Sequence, residues 1–333
     1  ASASIQISAA PLRRAAAQAR EQLLARAARQ WGVAADTLRL RDGIVRPADE
    51  RDERALRYGQ LVQGQHTRLE LAADDSQVRL KPAGDYTLVG SAVARVDIPA
   101  KATGELSFVH DVRVPGMRHG RVVRPPHPGR DAGDFIGRCL LDVDTGSVAH
   151  LPGRVQVVVQ GDFIGVVADR EEQAEAAMRA LKVRWKPVPP APALDDLASA
   201  IRANPARRRL LLEEGDVDAA CAGAAVHLRL TYVWPYQMHA SIGPSCALAD
   251  WQGERLTVWA GTQNPHVLRQ DLSRLTGLAD VAIEVVRMEA AGCYGRNGAD
   301  DVAADAALLS RAVGAPVRVQ LTREQEHLWE PKG

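Results

Sequence analysis

The sequence lacks the cysteine spacing and the charge excess that would each point to a class of protein. Its four cysteines lie far apart, and none forms the C-x-x-C pair typical of zinc or iron–sulfur ligation. Lys and Arg number 42 against 41 for Asp and Glu, so no field of one sign attracts nucleic acid or an anionic membrane. We therefore expect buried free thiols, no metal held by these side chains and no nucleic-acid partner.

Signals for membrane insertion, export and nucleotide binding are also missing. No apolar run approaches the roughly 18 residues of a transmembrane helix, and no charged region followed by an apolar stretch opens the chain. The sequence therefore predicts no transmembrane segment and leaves the compartment open between cytoplasm and periplasm. Neither a G-x-G-x-x-G fingerprint nor a Walker motif occurs, which disfavours a complete flavin or nicotinamide enzyme.

What is present is a chain of 333 residues, 46% apolar, which is enough for two or three domains with real cores. Helical periodicity predicts an amphipathic helix over 12–31 that Gly32 ends. Two short strands flank the D-G turn at 42–43, and a small helix is expected over 58–62. Residues 1–88 therefore resemble an appendage to the rest of the chain.

The middle of the chain, residues 89–190, is expected to be rich in short strands. Over 89–125 β-branched residues alternate with polar ones between Gly and Pro turn signals, which predicts several strands. Residues 155–187 then predict strand, turn, strand, helix and strand, with the helix over Glu171–Leu181. The proline-rich stretch at 187–196 indicates a linker or domain boundary.

Strands and helices continue in the last part, residues 205–333. Strands are expected between 224 and 260, helices over Asn264–Leu275 and Asp301–Val313, and strands at 281–290 and 316–321. The fold class predicted for the whole chain is α/β (α+β).

Two short segments combine features of a ligand site, although each also has a structural explanation. Residues 291–298 place three glycines between a strand and a helix, which permits positive φ and close approach of backbone to an anionic ligand. On spacing alone a plain turn is the better interpretation. Gly261–Asn264 ends a strand and opens a helix, where Thr262 or Asn264 could cap and Gln263 could project its amide into a cleft. Here too a simple capping turn is favoured.

Residue-by-residue similarity to a known family goes further than spacing. The run from Lys81 to Pro126 is similar to the start of the hammerhead domain in large subunits of the isoquinoline 1-oxidoreductase β-subunit type, within the xanthine oxidase family. The positions shared in order are Arg95, Asp97, Lys101, Gly104, His110, Asp111, Pro115, Gly116, Met117, Arg124 and Pro125. Residues 214–218, His239 with Pro244, Gly261–Gln263 and the loop around Gly295 resemble the first molybdopterin-binding domain of that family.

The resemblance implies a domain organisation. It predicts an N-terminal helix and appendage at 1–88, a hammerhead-like α/β domain at 89–190, and the first, incomplete part of a molybdopterin-binding domain at 205–333. The family's upstream G-Q-G pterin loop and its downstream G-x-G-E segment, which carries the base glutamate, are both absent. We therefore expect a truncated chain or one part of a split subunit, inactive without the remainder of the large subunit.

The resemblance also implies roles for residues of the two segments. In that family the G-T-Q glutamine hydrogen-bonds an oxo ligand of molybdenum. The backbone of the loop matched by 293–296 reaches the apical ligand of molybdenum, and its aromatic ring faces the substrate. Gln263 and Tyr294 are accordingly expected to be catalytic. Gln263, Cys293, Tyr294, Gly295 and Arg296 are expected to bind the cofactor, with no residue of this chain ligating the metal.

The implied reaction is hydroxylation of an N-heteroaromatic compound or an aldehyde with oxygen from water. It uses molybdenum held by molybdopterin, taken to be the cytosine dinucleotide form, and electrons leave to [2Fe–2S] clusters on a partner subunit. Gly298 stands where purine-hydroxylating members carry a glutamate, so xanthine is a poor candidate substrate. The main alternative is a non-catalytic scaffold or binding module without bound pterin.

Overall fold

A helix and a small sheet build the first of two units in the computed structural model, which describes residues 4–64, 78–125, 139–187, 195–235, 237–296 and 299–330. This unit covers Ala1–Ile98. Helix α1 (Ala9–Trp31) ends at Gly32, whose φ of 67° suits the left-handed cap that glycine favours. Strands β1 (Leu38–Arg41), β2 (Ile44–Pro47) and β3 (Leu56–Arg57) form an antiparallel sheet, followed by α2 (Tyr58–Val62). Apolar side chains of α1, α2 and the three strands share one core.

The second unit, Pro99–Gly333, contains a mixed sheet of seven strands. The strand order is β11-β10-β9-β12-β4-β7-β6, parallel between β10 and β11 and between β12 and β4, and antiparallel elsewhere. The strands are β4 (Arg118–Val123), β6 (Val155–Gln160), β7 (Phe163–Ala168), β9 (Cys246–Gln252), β10 (Arg255–Ala260), β11 (Ile283–Arg287) and β12 (Val317–Gln320). A separate antiparallel pair joins β5 (Leu140–Asp144) to β8 (Lys182–Trp185).

Helices cover the sheet or lie along the connections between strands. They are α3 (Ile98–Thr103), α4 (Glu171–Ala180), α5 (Leu197–Ala203), α6 (Val217–Gly223), α7 (Pro265–Thr276), α8 (Asp301–Val313) and α9 (Arg323–Trp329). The most buried of them is α8, whose Ala and Leu side chains form much of the main core. Two strand glycines make room for it: a Cβ on Gly120 would lie 2.8 Å from Leu309 Cδ1, and one on Gly165 would lie 2.5 Å from Leu309 Cδ2.

Much of the predicted order is confirmed. The structure has the hairpin at the D-G turn, α2 over 58–62, the strand–turn–strand–helix–strand unit, α7, and α8 over Asp301–Val313. Helix α1 begins three residues earlier than predicted. The mixture of helices and strands agrees with the predicted α/β (α+β) class.

Two strand predictions were wrong. Of the described residues in 89–125, only those of β4 form a strand. Part of this segment forms helix α3 instead, because Pro99 lies in its first turn, where the fixed φ of proline suits helix initiation. The alternating residues 224–235 form no strand, and Val226, Leu228 and Trp234 are more than 70% exposed. Alternation favours a strand only where a neighbouring strand supplies hydrogen bonds. The proline-rich linker predicted at 187–196 lies mostly outside the described residues.

The division into parts at 1–88, 89–190 and 205–333 stays a prediction. The structure adds that strands from both sides of the stretch between 190 and 205 share the seven-stranded sheet, because β12 pairs with β4 and with β9. The second and third predicted parts therefore contribute to one sheet.

Candidate active site around the Gly292–Arg296 loop

The segment Gly261–Asn264 forms the corner between β10 and α7, as predicted. Thr262 is buried; its hydroxyl donates to Asp300 Oδ2 at 2.6 Å and accepts the backbone N–H of Asn264 at 3.0 Å. The Asn264 side chain makes no cap hydrogen bond, so Thr262 is the residue that stabilises this corner. Gln263 lies between Thr262 and Asn264 and is exposed. The hydrogen bond between its two neighbours fixes the backbone on either side of it.

The glycine-rich loop follows β11 and comes before α8, also as predicted. Gly292 and Gly295 have φ of 100° and 109°, which side-chain-bearing residues rarely adopt. Among the described residues, four non-glycine residues have positive φ, and three of these, Ala240, Tyr294 and Asp300, belong to this region. Such conformations cluster at functional sites because the surrounding contacts must enforce them. Tyr294 is 65% exposed, so its ring is available to a ligand.

Arg296 is turned inward. Its side chain is 1% exposed; Nη2 lies 2.9 Å from Asp301 Oδ1 and Nε lies 3.2 Å from Glu326 Oε1. Glu326, itself inaccessible, also accepts the backbone N–H and the hydroxyl of Ser245 at 3.1 and 3.0 Å. The guanidinium therefore holds the end of the loop, and cofactor binding by Arg296 would be limited to its backbone.

The structure brings the two predicted segments together. The Thr262–Asp300 hydrogen bond connects the β10–α7 corner to the start of α8. A cavity with room for about one water molecule lies between the segments, lined among others by Gly261, Gly292 and Arg296.

Residues 239–245 underlie the loop, a role that sequence reasoning missed. The backbone N–H of Gly243 donates to Ala291 O at 3.1 Å, and the hydroxyl of Ser241 donates to Cys293 O at 3.1 Å. A Cβ on Gly243 would lie 2.8 Å from that of Ala291, so the two backbones approach closely. Contacts that span about fifty residues leave no local pattern, and the family resemblance at His239 and Pro244 was the one available signal.

Two carboxyl groups near the loop have raised pKa values. Burial raises the pKa of Asp300 to about 6, although the Thr262 hydroxyl lowers it in part. On the next turn of α8, burial raises the pKa of Asp305 to about 7, against the attraction of Arg124, whose Nη2 lies 2.6 Å from Asp305 Oδ2. Raised carboxyl pKa values in a cluster are typical of functional sites, although structural ion pairs produce them too.

Comparisons with known proteins identify a cofactor-binding domain in the part of the chain that contains this loop. Residues 202–333 match the family model of the molybdopterin cofactor-binding domain. A nicotinate dehydrogenase subunit of Pseudomonas putida is 58% identical over the whole chain, which spans 28% of that protein. The β-subunit of isoquinoline 1-oxidoreductase from Brevundimonas diminuta is 28% identical, with 95% of this chain and 44% of the relative covered. The chain belongs to the molybdopterin-binding large subunits of the xanthine oxidase family.

Solved structures show the same fold. Quinoline 2-oxidoreductase from Pseudomonas putida 86 has a TM-score of 0.54 at 20% identity, covering 72% of this chain and 35% of that one. The CO dehydrogenase from Oligotropha carboxidovorans has a TM-score of 0.55 at 22% identity, covering 73% and 36%. This large-subunit chain therefore spans less than half the length of these relatives and solved structures.

The cysteines of the large-subunit chain are free, as expected, but not all are buried. Cys139 and Cys246 are buried, and burial raises the pKa of each thiol to about 11. Cys221 is exposed, which corrects the expectation for that residue, and Cys293 is half-buried in the loop. Within the described ranges no group of three or more His, Cys, Asp or Glu is placed to hold a metal ion, and no helix is long and apolar enough to cross a bilayer.

Proposed function

We propose that this chain is part of the large subunit of a molybdenum hydroxylase that hydroxylates an N-heteroaromatic carboxylate of the nicotinate type. The observation that carries the proposal is the 58% identity, over the whole chain, to a protein named as part of a nicotinate dehydrogenase. Relatives named for aldehydes are 26 to 28% identical, so the heteroaromatic substrate is favoured over the aldehyde.

The residues of the loop fit a molybdopterin group. Gly292 and Gly295 adopt positive φ values that side-chain-bearing residues rarely adopt, and Tyr294 and Gln263 expose their side chains. When bound, this cofactor supplies the redox chemistry for introducing an oxygen atom derived from water into the substrate. We propose that Gln263, Cys293, Tyr294, Gly295 and the backbone of Arg296 contact it.

Each side chain then has a limited task. Gln263 offers a neutral amide N–H that donates without titrating, from a corner fixed by Thr262. The exposed ring of Tyr294 presents a flat surface beside which a planar heteroaromatic ring can lie. The buried contact between Arg296 and Glu326 holds the end of the loop, so the backbone that carries Tyr294 is fixed.

Other parts of the reaction are assigned outside this chain. We propose that the general base and the remaining pterin contacts belong to the remainder of the large subunit. We propose, as the family resemblance implies, that the electrons leave to [2Fe–2S] clusters on a partner subunit; the cysteines of this chain lack cluster spacing. The cytosine dinucleotide form of the cofactor is part of the same proposal. Gly298, which argues against xanthine, lies outside the described residues.

The test uses the enzyme assembled from the full-length large subunit and its partner. We expect close to one molybdenum per large subunit, release of a cytosine nucleotide on acid hydrolysis, and hydroxylation of nicotinate with an artificial electron acceptor. In ¹⁸O-labelled water the product should carry the label. An enzyme without molybdenum would support the scaffold alternative, and an enzyme that prefers aldehydes to nicotinate would overturn the substrate.

A further inference from the structure

A histidine side chain lies directly beneath the glycine-rich loop. At Gly295 a Cβ would come within 2.9 Å of His239 Nε2 and 3.0 Å of His239 Cδ2, so the edge of the imidazole ring touches the loop backbone. Gly295 has a φ of 109° at this contact. The imidazole ring therefore limits how closely the loop backbone can approach residues 239–245.

A buried carboxylate holds this histidine. Glu330 Oε1 accepts the backbone N–H of His239 at 2.9 Å, and Glu330 Oε2 lies 3.2 Å from His239 Nδ1. The Glu330 side chain is inaccessible to solvent, whereas that of His239 is 20% exposed. The carboxylate faces Nδ1 on one side of the imidazole ring, and the opposite side, with Nε2, faces Gly295.

The backbone next to His239 also departs from ordinary geometry. Ala240 has a φ of 52°, which an alanine adopts only where other contacts compensate the steric strain. One residue further on, Ser241 Oγ donates to Cys293 O inside the loop. Two consecutive contacts, at Gly295 and at Cys293, therefore connect the 239–241 segment to the loop.

We infer that Glu330 and His239 form a positioning pair. The pair fixes the distance between the Gly292–Arg296 loop and the 239–241 segment and, through it, the placement of Tyr294. The pair touches the loop rather than the reacting atoms, so neither residue is catalytic. The inference rests on the proposed function for what the loop binds. It adds two residues that the family model and the comparisons do not assign.

The test compares five variants of the intact enzyme, three at the proposed pair and two controls. Glu330→Gln keeps the size of the side chain but removes its charge, and Glu324→Gln, exposed on the neighbouring helix α9, is its control. His239→Gln places an amide near the position of Nε2, whereas His239→Asn places one near Nδ1 and leaves a gap under Gly295. His150→Gln is a further control, for histidine loss at an exposed position.

Three quantities are measured: turnover per bound molybdenum, molybdenum loss during dialysis, and hydrogen–deuterium exchange of a peptide spanning 291–296. For Glu330→Gln and His239→Asn we expect about 10- to 100-fold lower turnover per molybdenum, in the range found when outer contacts to a cofactor site are removed. Molybdenum loss and loop exchange should both become faster. His239→Gln should restore part of each quantity, and both controls should match the wild type.

The outcomes separate this inference from the proposed function. Wild-type turnover per molybdenum and wild-type loop exchange in His239→Asn would overturn the positioning pair, even if the thermal midpoint fell. If Glu330→Gln does not fold, the two variants at the partly exposed His239 decide the matter. A wild-type enzyme without molybdenum would overturn the proposed function, while exchange of the loop peptide would still test the pair.

Discussion

At the scale of single residues, Gln263 is the most direct test of the candidate site, because its exposed side chain leaves the core undisturbed when changed. Gln263→Ala in the intact enzyme should lower turnover by roughly 10²- to 10³-fold, the usual effect of losing one preorganised hydrogen-bond donor. Gln263→Glu should fail as well, because a carboxylate cannot donate when ionised. Turnover, molybdenum content and thermal midpoint are the measurements.

The matched control is Gln30→Ala, at an exposed glutamine of α1. If Gln263 belongs merely to a capping turn, both of its variants would keep wild-type turnover and lose at most about 1 kcal/mol of stability. Full activity with full molybdenum content would show that the side chain has no part in the reaction.

Asp300 gives a pH-dependent prediction. Its pKa is raised to about 6 by burial, so the stability that it contributes while protonated is complete below the unfolded value of 3.8 and is lost as pH rises through about 6. Asp300→Asn cannot ionise and keeps an acceptor for Thr262. We expect its thermal midpoint to exceed that of the wild type at pH 7 to 8 and to match it near pH 4.

The control for this titration is Glu254→Gln, at an exposed position between β9 and β10, which should follow the wild type across the whole range. A difference between Asp300→Asn and the wild type that does not vary with pH would contradict the raised pKa.

The sequence predicted the local structure around some of these residues but not the long-range contacts of others. The strand-to-helix corner at Gln263 and the loop at Tyr294 follow from turn and helix signals, which are local. The inward direction of Arg296 depends on Glu326, thirty positions later, and the contact between His239 and Gly295 spans 56 positions. Such pairings appear only once the sheet and α9 have brought the segments together.

At the scale of elements, the packing of α8 on the sheet depends on two missing side chains. Gly120 and Gly165, on neighbouring strands β4 and β7, leave a recess that the fully buried Leu309 fills. Leu309→Ala should lower the free energy of unfolding by about 2 to 5 kcal/mol, through lost burial and the resulting cavity. Gly165→Ala should be destabilising too, because its Cβ would overlap Leu309.

Denaturant unfolding followed by circular dichroism measures both changes. In Gly165→Ala combined with Leu309→Ala, the added methyl group no longer overlaps the leucine side chain. The double variant should therefore lose less stability than the sum of the two single losses. Strict additivity would contradict the recess. Leu12→Ala, at a leucine 68% exposed in α1, should change stability by less than about 0.5 kcal/mol.

Elements with strong local signals were predicted well, and α8 and α2 have the predicted bounds. The failures at 89–117 and 224–235 share a physical cause. Alternation of β-branched and polar residues is compatible with a strand, but whether a strand forms depends on a partner elsewhere in the chain. The sequence of the segment itself does not specify that partner.

At the scale of the whole molecule, the chain spans 28% of the relative to which it is 58% identical. We predict that residues 1–333 expressed alone bind less than about a tenth of an equivalent of molybdenum, because a cofactor held by several segments loses most of its contacts when some are missing. Elemental analysis of the purified chain beside the intact enzyme is the measurement. Near-stoichiometric molybdenum in the isolated chain would show that the contacts described here suffice.

The place of β12 in the sheet has a consequence for biosynthesis. Val317 of β12 pairs with Arg118 of β4, so about 200 residues must be made after β4 before this neighbour exists. Until then, β4 presents an unpaired edge to other nascent chains. Contacts of such long sequence separation slow folding. Ribosomes that pause before residue 317 therefore hold a strand that is open to mispairing, and chaperone demand during synthesis should peak in that interval.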